Sequence, residues 1–214
     1  INSNELKPLE DNGKKVNIEF ISSNPTGPLN VVSGRAAAVG QALSNIFNFM
    51  GWASTKEFYI NDAGRQVTIF ANSVLKAYRE LFKGEGVNFS EEEYNNDHIR
   101  IVAAKLKDEI ERSDNPLEML KERAVQYTVD INRTFLEDMG LSFDNWFSEK
   151  SLYEDTGLEE EVLKTLSDKG LTYKNEGALF IKTTELGDDQ DWVLKKSNGD
   201  YTYLFGDIMY HISK

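Results

Sequence analysis

Apolar positions alternate through "KKVNIEFIS" (14–22) at Val16, Ile18 and Phe20, which predicts a strand. "SNPTGPLNVVS" follows, with two prolines and a glycine, and belongs to neither a helix nor a central strand. In "GRAAAVGQALSNIFNFMG" (34–51) the spacing changes to that of a helix, with Ala37, Leu43, Ile46, Phe47 and Met50 on one face. Ser33 is its expected N-cap and Gly51 its stop. "STKEFYIND" (54–62) predicts a second strand, so the opening is a βαβ unit with a parallel pair as the default.

Helical spacing then dominates. Val67, Phe70, Val74, Leu75, Tyr78, Leu81 and Phe82 mark one helix, and "KGEGVNFSEEEYNND" (83–97) is a polar interruption. Helices are expected over 98–113 and 116–140, the latter with Pro116 near its first position. After this block "LSFDNWFSE" (141–149) predicts a strand. "GLEEEVLKTLSDKG" (157–170) predicts a helix whose acids lie at its start, as the helix dipole favours. Strands are expected at 178–183 and 192–204, the second folded into a hairpin at Asn198-Gly199, and a helix from Gly206 onward. The pattern is α/β in three stretches: 1–65, a helical insertion at 66–140, and a return to the sheet at 141–214.

Charge narrows the chemistry. The 214 residues carry a net charge of −12, and the last stretch (136–214) holds 8 basic residues against 17 acidic. Such a chain is a poor non-specific nucleic-acid binder, because Lys and Arg must displace phosphate counterions, and it suits a cationic substrate better. There is no cysteine, which excludes disulfides and thiolate metal sites and fits an intracellular protein. Two histidines, His98 and His211, leave little for zinc sites or Ser-His-Asp triads, and no metal site is expected. The start lacks the layout of a secretory signal, and no apolar run is long enough to span a membrane.

Residues 24–34 are a candidate anion site. A turn entering a helix after the first strand of a βαβ unit presents free N–H groups and a positive helix end. Neither G-x-G-x-x-G nor a P-loop is present, so an anion site and a plain connection both remain open from the residues alone.

"NIEFISSNPTGPLNVVSGRAAAVGQAL" followed by "EFYINDAGRQV" resembles the opening of the catalytic domain of arginyl-tRNA synthetase, a class I aminoacyl-tRNA synthetase. The similarity continues through "FDNWFSEKSLYE", "LEEEVLKTLSDKGLTY" and "GALFIKTTELGDDQDWVLKKSNGDYTYLFGDIMYHISK", and fails only near 84–97. It implies a Rossmann-like class I catalytic core with a helical insertion and a β-hairpin. It also implies ATP-dependent activation of L-arginine to arginyl-adenylate, with Mg2+ on the nucleotide, and transfer to tRNA(Arg).

The family's HIGH motif falls on Asn30, Val31, Val32 and Ser33. Where the family has histidines that face the ATP phosphates, Asn30 and Ser33 can still donate hydrogen bonds but carry no positive charge. The resemblance implies a tolerated variant, with Asn30 and Ser33 catalytic and ATP held along Pro25, Thr26, Gly27, Pro28, Leu29, Asn30, Ser33 and Gly34. Val32 adds bulk there. By the same similarity Glu149, Asp207 and Tyr203 hold the arginine side chain, and Ser22 and Asn24 its amino-acid end. Glu19 is either a further contact or a surface acid. A guanidinium, a planar fork of five donors, wants such acceptors.

Asn61 and Asp62 are either site residues or turn caps. Arg35 is expected to meet a surface acid, His98 to be solvated, His211 to be structural, and the acidic triplets 91–93 and 159–161 to be solvated faces. "HISK" at the end is not the family's KMSKS loop, since it directly follows "YLFGDIMY". That loop and the tRNA-contacting domains are expected in a longer protein, monomeric and cytoplasmic, of which this is a piece unable to complete either step alone. The alternative is a non-catalytic paralogue or an arginine- or partner-binding module that has lost ATP chemistry.

Overall fold

The computed structural model describes residues 7–154 and 157–214, in two compact units, Ile1–Ser148 and Glu149–Lys214. The first unit runs β1 (Lys15–Glu19), α1 (Val31–Phe49), β2 (Ala53–Ile60), α2 (Arg65–Lys83), α3 (Asp97–Lys105), α4 (Lys107–Arg112), α5 (Pro116–Asp138) and β3 (Asn145–Ser148). Its sheet has the order β1-β2-β3 and is parallel throughout, with Ile18 opposite Lys56 and Phe58 opposite Trp146. The expected α/β architecture with a parallel sheet is present.

α1 differs from expectation at its start and on its buried face. Its N-cap is Asn30 rather than Ser33: the Asn30 side chain accepts from the amides of Val32 and Ser33, so the helix begins one turn earlier. The side it buries is the small-residue row Ser33, Ala37, Gly40 and Ser44. Leu43, Ile46 and Met50, expected inside, are 42%, 55% and 48% exposed. The reason is proximity: a Cβ placed on Gly40 would lie 2.2 Å from the Phe20 ring, so α1 lies against β1 at a distance only glycine permits.

The helical layer follows the apolar pattern. Phe70 and Val74 of α2, Ile99 and Val102 of α3, and Leu120 and Ala124 of α5 are all fully buried. One expected helix over 98–113 is two, because the chain turns at Leu106 between α3 and α4. His98 is not solvated. It is 9% exposed, stacks on Phe70 at 6.3 Å, and its Nε2 lies 3.1 Å from Thr128 Oγ1. The Thr128 hydroxyl already donates to Ala124 O (2.9 Å), so His98 Nε2 is the donor in this pair. Glu93 of the first acidic triplet is likewise not merely solvated. Lys76 donates to it at 2.7 Å and the Ser90 amide at 2.7 Å, which hold its carboxyl below the usual range.

The second unit holds α6 (Lys150–Glu154), α7 (Leu158–Asp168), β4 (Thr172–Asn175), β5 (Ala178–Ile181), a 3-10 turn (Thr183–Leu186), β6 (Trp192–Lys195) and α8 (Tyr203–Ile212). Its sheet is antiparallel, in the order β4-β5-β6. The hairpin is not where it was expected. β4 and β5 form it through Glu176-Gly177, both at positive φ (49° and 81°). Asn198-Gly199 does make a turn, with Lys196 N donating to Asp200 O at 2.8 Å. Beyond it the return is short: Tyr201 bridges to Lys195 and Thr202 N donates to Leu194 O at 3.0 Å, and α8 then starts at Tyr203. No helix among the described residues is long and apolar enough to cross a membrane.

Candidate active site

The first group of site residues lies at the carboxyl ends of the parallel strands, where open α/β sheets bind ligands. Beyond Glu19 the chain passes through Phe20, which is buried, then Ile21 and Ser22, both left-handed at φ 71° and 40°. For β-branched Ile21 that conformation is a genuine outlier. Hydrogen bonds hold the bend. Ser22 Oγ donates to Glu19 Oε1 (2.9 Å) and accepts from the Tyr59 amide (3.3 Å). Asn24 Oδ1 accepts from Asn61 Nδ2 at 2.9 Å, joining the ends of β1 and β2. Asp62 accepts from Ser148 Oγ at 2.6 Å, joining β2 to β3.

The turn then carries the chain into α1. Pro25 and Thr26 are buried, Gly27 and Leu29 half-buried, Pro28 and Gly34 exposed. Asn30 is exposed and its Oδ1 is occupied: Val32 N (2.9 Å), Ser33 N (3.1 Å) and Ser33 Oγ (3.4 Å) all point at it. Its Nδ2 is left as the outward donor. Ser33 is only 7% exposed, with its hydroxyl between Asn30 Oδ1 and Ser23 Oγ (3.2 Å). The helix end therefore offers Asn30 Nδ2, the Val31 amide and the dipole. Val31 and Val32 are 89% and 74% exposed beside them. Arg35, expected to meet a surface acid, is exposed with no ion-pair partner among the described residues, which puts a positive charge on the same helical turn.

The second group lies wholly in the second unit. Glu149, 6% exposed, immediately precedes α6, and Tyr153 lies one turn along it. Tyr203 (69% exposed) and Asp207 (exposed) are one turn apart on α8, with Gly206 buried between them. A Cβ on Gly206 would lie 3.0 Å from Tyr153 Oη and 3.7 Å from Glu149 Oε1, so α8 approaches α6 through a bare backbone. The Tyr153 phenol is pushed up to about 12, first by burial and then by Glu149, Asp207, Tyr203 and Glu159 around it. It is a neutral hydroxyl ringed by acids. Sequence reasoning missed Tyr153; its only signal was its place four residues after Glu149. Glu159, from the second acidic triplet, accepts from the Tyr201 hydroxyl rather than facing solvent alone. His211 is exposed, its ring 5.4 Å from that of Tyr210. Among the described residues no three His, Asp or Glu side chains converge as metal ligands.

Comparison with known proteins bears on both groups. A family model described as tRNA synthetases class I (R), catalytic domain, matches residues 1–214. An arginine–tRNA ligase of Desulfosudis oleivorans is 42% identical over 208 residues, covering 94% of this chain and 37% of its own length. One from Cupriavidus taiwanensis is 40% identical over 212 residues, covering 94% and 35%. A crystal structure assigned as an arginyl-tRNA synthetase of Campylobacter jejuni superposes with a TM-score of 0.90 at 27% identity, over 98% of this chain and 47% of that one. The Thermus thermophilus arginyl-tRNA synthetase shares the fold, with a TM-score of 0.69 at 22% identity over 96% and 37%. The chain thus spans little more than a third of the length of these curated relatives. It belongs to the arginyl-tRNA synthetase family of class I catalytic domains.

Proposed function

We propose that the chain is the arginine- and ATP-binding part of an arginine–tRNA ligase, with 66–140 a helical insertion between the catalytic stretches 1–65 and 141–214. The observation that carries the reading is the acidic cluster of the second unit: buried Glu149, exposed Asp207 and the Tyr153 hydroxyl beside them, its phenol pushed up to about 12. Two carboxylates and phenolic oxygens suit the five donors of a guanidinium, and its positive charge offsets the crowding of acids.

In this reading Glu149, Asp207 and Tyr203 hold the side chain of L-arginine. Ser22 and Asn24 hold its amino-acid end, with Glu19 nearby through Ser22. ATP lies along residues 25–34, its phosphates toward Asn30 Nδ2 and the start of α1, and Mg2+ arrives with the nucleotide as part of the substrate. An arginine carboxylate oxygen attacks the α-phosphorus; a new O–P bond forms, the bond to the bridging oxygen breaks, and pyrophosphate leaves. A hydroxyl of the terminal ribose of tRNA(Arg) then attacks the arginyl carbonyl and AMP departs. The protein contributes positioning and hydrogen bonds to developing charge. Asn30 and Ser33 stand in for ionisable groups there, Asn30 as donor and Ser33 as support of its orientation. The tRNA is held mainly by parts of the longer protein, which works in the cytoplasm as a monomer.

Calorimetric titration with L-arginine, using citrulline as the uncharged control, tests the reading on this chain and on the whole protein. Arginine binding that citrulline lacks, weakened by Glu149→Gln and by Asp207→Asn, is the expected result. No arginine binding and no arginine-dependent ATP–pyrophosphate exchange by the whole protein would refute it.

A further inference from the structure

The buried row of α5 is apolar at Leu120, Ala124, Val125, Val129 and Leu136, yet at Asn132 it carries an amide that is 4% exposed. Four residues from Leu136 on the same face, this is a position where packing asks for an aliphatic side chain, and a buried amide is unfavourable unless bonded. Both of its polar atoms are engaged, and by the same short piece of backbone. Asn132 Oδ1 accepts from the Leu29 amide at 3.3 Å, and Asn132 Nδ2 donates to Gly27 O at 3.3 Å.

Those partners flank Pro28, more than a hundred residues away along the chain. Pro28 has no N–H, so the turn lacks a donor of its own at its centre. The two bonds fix the peptide planes on either side of it. The residue after Leu29 is Asn30, whose side chain starts α1 and whose Nδ2 is the outward donor. Where Leu29 is held therefore sets where Asn30 Nδ2 and the Val31 amide point. The holding body is firm: α5 is bound to α3 through Thr128 and His98, and Arg133 lies over the Trp146 ring at 4.6 Å.

We infer that Asn132 is a positioning residue for the nucleotide turn, tying Gly27–Leu29 to α5 so that the start of α1 is presented to the ATP phosphates. The inference rests on the reading of residues 25–34 as the ATP site. It gives the helical insertion a part in the chemistry without contact to substrate.

The test is made in the whole protein that carries this chain. Asn132→Leu keeps the branched shape, suits the apolar row and removes both bonds. Asn132→Asp keeps the acceptor for Leu29 N–H but sets an oxygen against Gly27 O. In arginine-dependent ATP–pyrophosphate exchange, Asn132→Leu raises KM for ATP about tenfold, as loss of two modest hydrogen bonds allows. KM for arginine stays within about twofold and the thermal midpoint is kept; Asn132→Asp also raises KM for ATP. Hydrogen–deuterium exchange at the Leu29 amide quickens in Asn132→Leu. Unchanged KM for ATP, or KM values for ATP and arginine that rise together with a falling thermal midpoint, would overturn the inference in favour of a purely structural role. If the wild-type protein catalyses no exchange, the functional reading fails. The inference is then decided by ATP titration and Leu29 exchange, and unaltered values in Asn132→Leu overturn it.

Discussion

In the proposed reading the two ends of the Asn30 amide have different tasks, and substitutions can separate them. Its Oδ1 caps α1 through Val32 N and Ser33 N at 2.9 and 3.1 Å, while its Nδ2, on an exposed residue, has no partner among the described residues. Asn30→Ala removes both. Loss of an N-cap costs about 1 kcal/mol, which lowers the thermal midpoint by roughly 2–4 °C for a domain of this size. Loss of a donor to a charged phosphate costs about 1.5–3 kcal/mol, a rise in KM for ATP of roughly ten- to a hundredfold. Asn30→Asp keeps the cap, since Asp and Asn are equivalent there. The first turn of α1 holds no acid, so a carboxylate there gains about 0.3–1 kcal/mol from the helix dipole. Toward ATP the same carboxylate is harmful: a unit charge about 5 Å from a phosphate is worth about 3 kcal/mol of repulsion at an effective dielectric near 20.

The two variants should therefore fall in opposite orders. Thermal midpoints run Asn30→Asp at or above wild type, with Asn30→Ala below. KM for ATP rises in both, and at least as far in Asn30→Asp. Thermal melts and steady-state ATP–pyrophosphate exchange on the whole protein give the two orders. A wild-type midpoint for Asn30→Ala would refute the capping role. An unchanged KM for ATP in Asn30→Asp would show that phosphates do not approach this helix end.

Two further predictions concern other parts of the chain. Burial pushes the His98 imidazole below its ordinary value, so the unfolded chain, with a pKa near 6.5, protonates first. His98 thus favours the fold fully above about pH 6.5, and this contribution falls as pH drops from there toward the depressed folded value. His98→Gln should flatten the fall in thermal midpoint between pH 7.5 and 5, and an equally steep fall in the variant would count against it. In the second unit, Gly206→Ala puts a methyl 3.0 Å from Tyr153 Oη and should weaken arginine binding in calorimetry, less so when combined with Tyr153→Phe; additive losses would show that the two do not share the pocket wall.

How far the sequence disclosed this structure depended on the range of the interactions involved. β1, α1 and β2 were legible because their apolar spacing is local, and the blocks resembling a known family carried the fold class. The buried side of α1 was not, because size misled: Leu43, Ile46 and Met50 repeat at helical spacing, yet the helix meets β1 through Ala37 and Gly40. Ser33 and Asn30 are both good caps one turn apart, and β-branched Val31-Val32 made the first turn look like an extension of the loop. β4 was hidden because "TYKN" is four residues long and ends in polar ones, while Glu176-Gly177 is a less familiar turn pair than Asn198-Gly199. His98 sits among polar neighbours at the start of α3, and nothing local foretold its stacking on Phe70. Asn132 and Tyr153 were beyond reach as site residues, since Gly27 and Leu29 lie more than a hundred residues from Asn132, and Tyr203, Gly206 and Asp207 about fifty from Tyr153.

The places where local preference is overridden are not scattered through the first unit. The α2–α3–α5 layer obeys the ordinary rules almost everywhere, with apolar rows inside. Outside buried polar residues such as Glu57 and His98, the exceptions gather at the carboxyl end of β1. Ile21 takes a conformation that β-branched residues avoid, and Ser22 follows it. Gly40 is forced by the Phe20 ring. Val31 and Val32 stand in solvent at the head of a helix, and the one amide in the buried row of α5 is used to hold Gly27–Leu29. A plain strand-to-helix connection needs none of this, since a looser turn would relieve the strain at Ile21 and leave position 132 to an aliphatic residue. Strain kept in one place and offset by specific bonds marks a segment whose shape matters more than its stability. That is the independent structural reason, apart from family membership, for reading this turn as a binding element. On the proposed reading of this turn, the same feature suits Asn30 to its assigned part: where the backbone is held this firmly, a neutral donor already in position loses little to reorganisation.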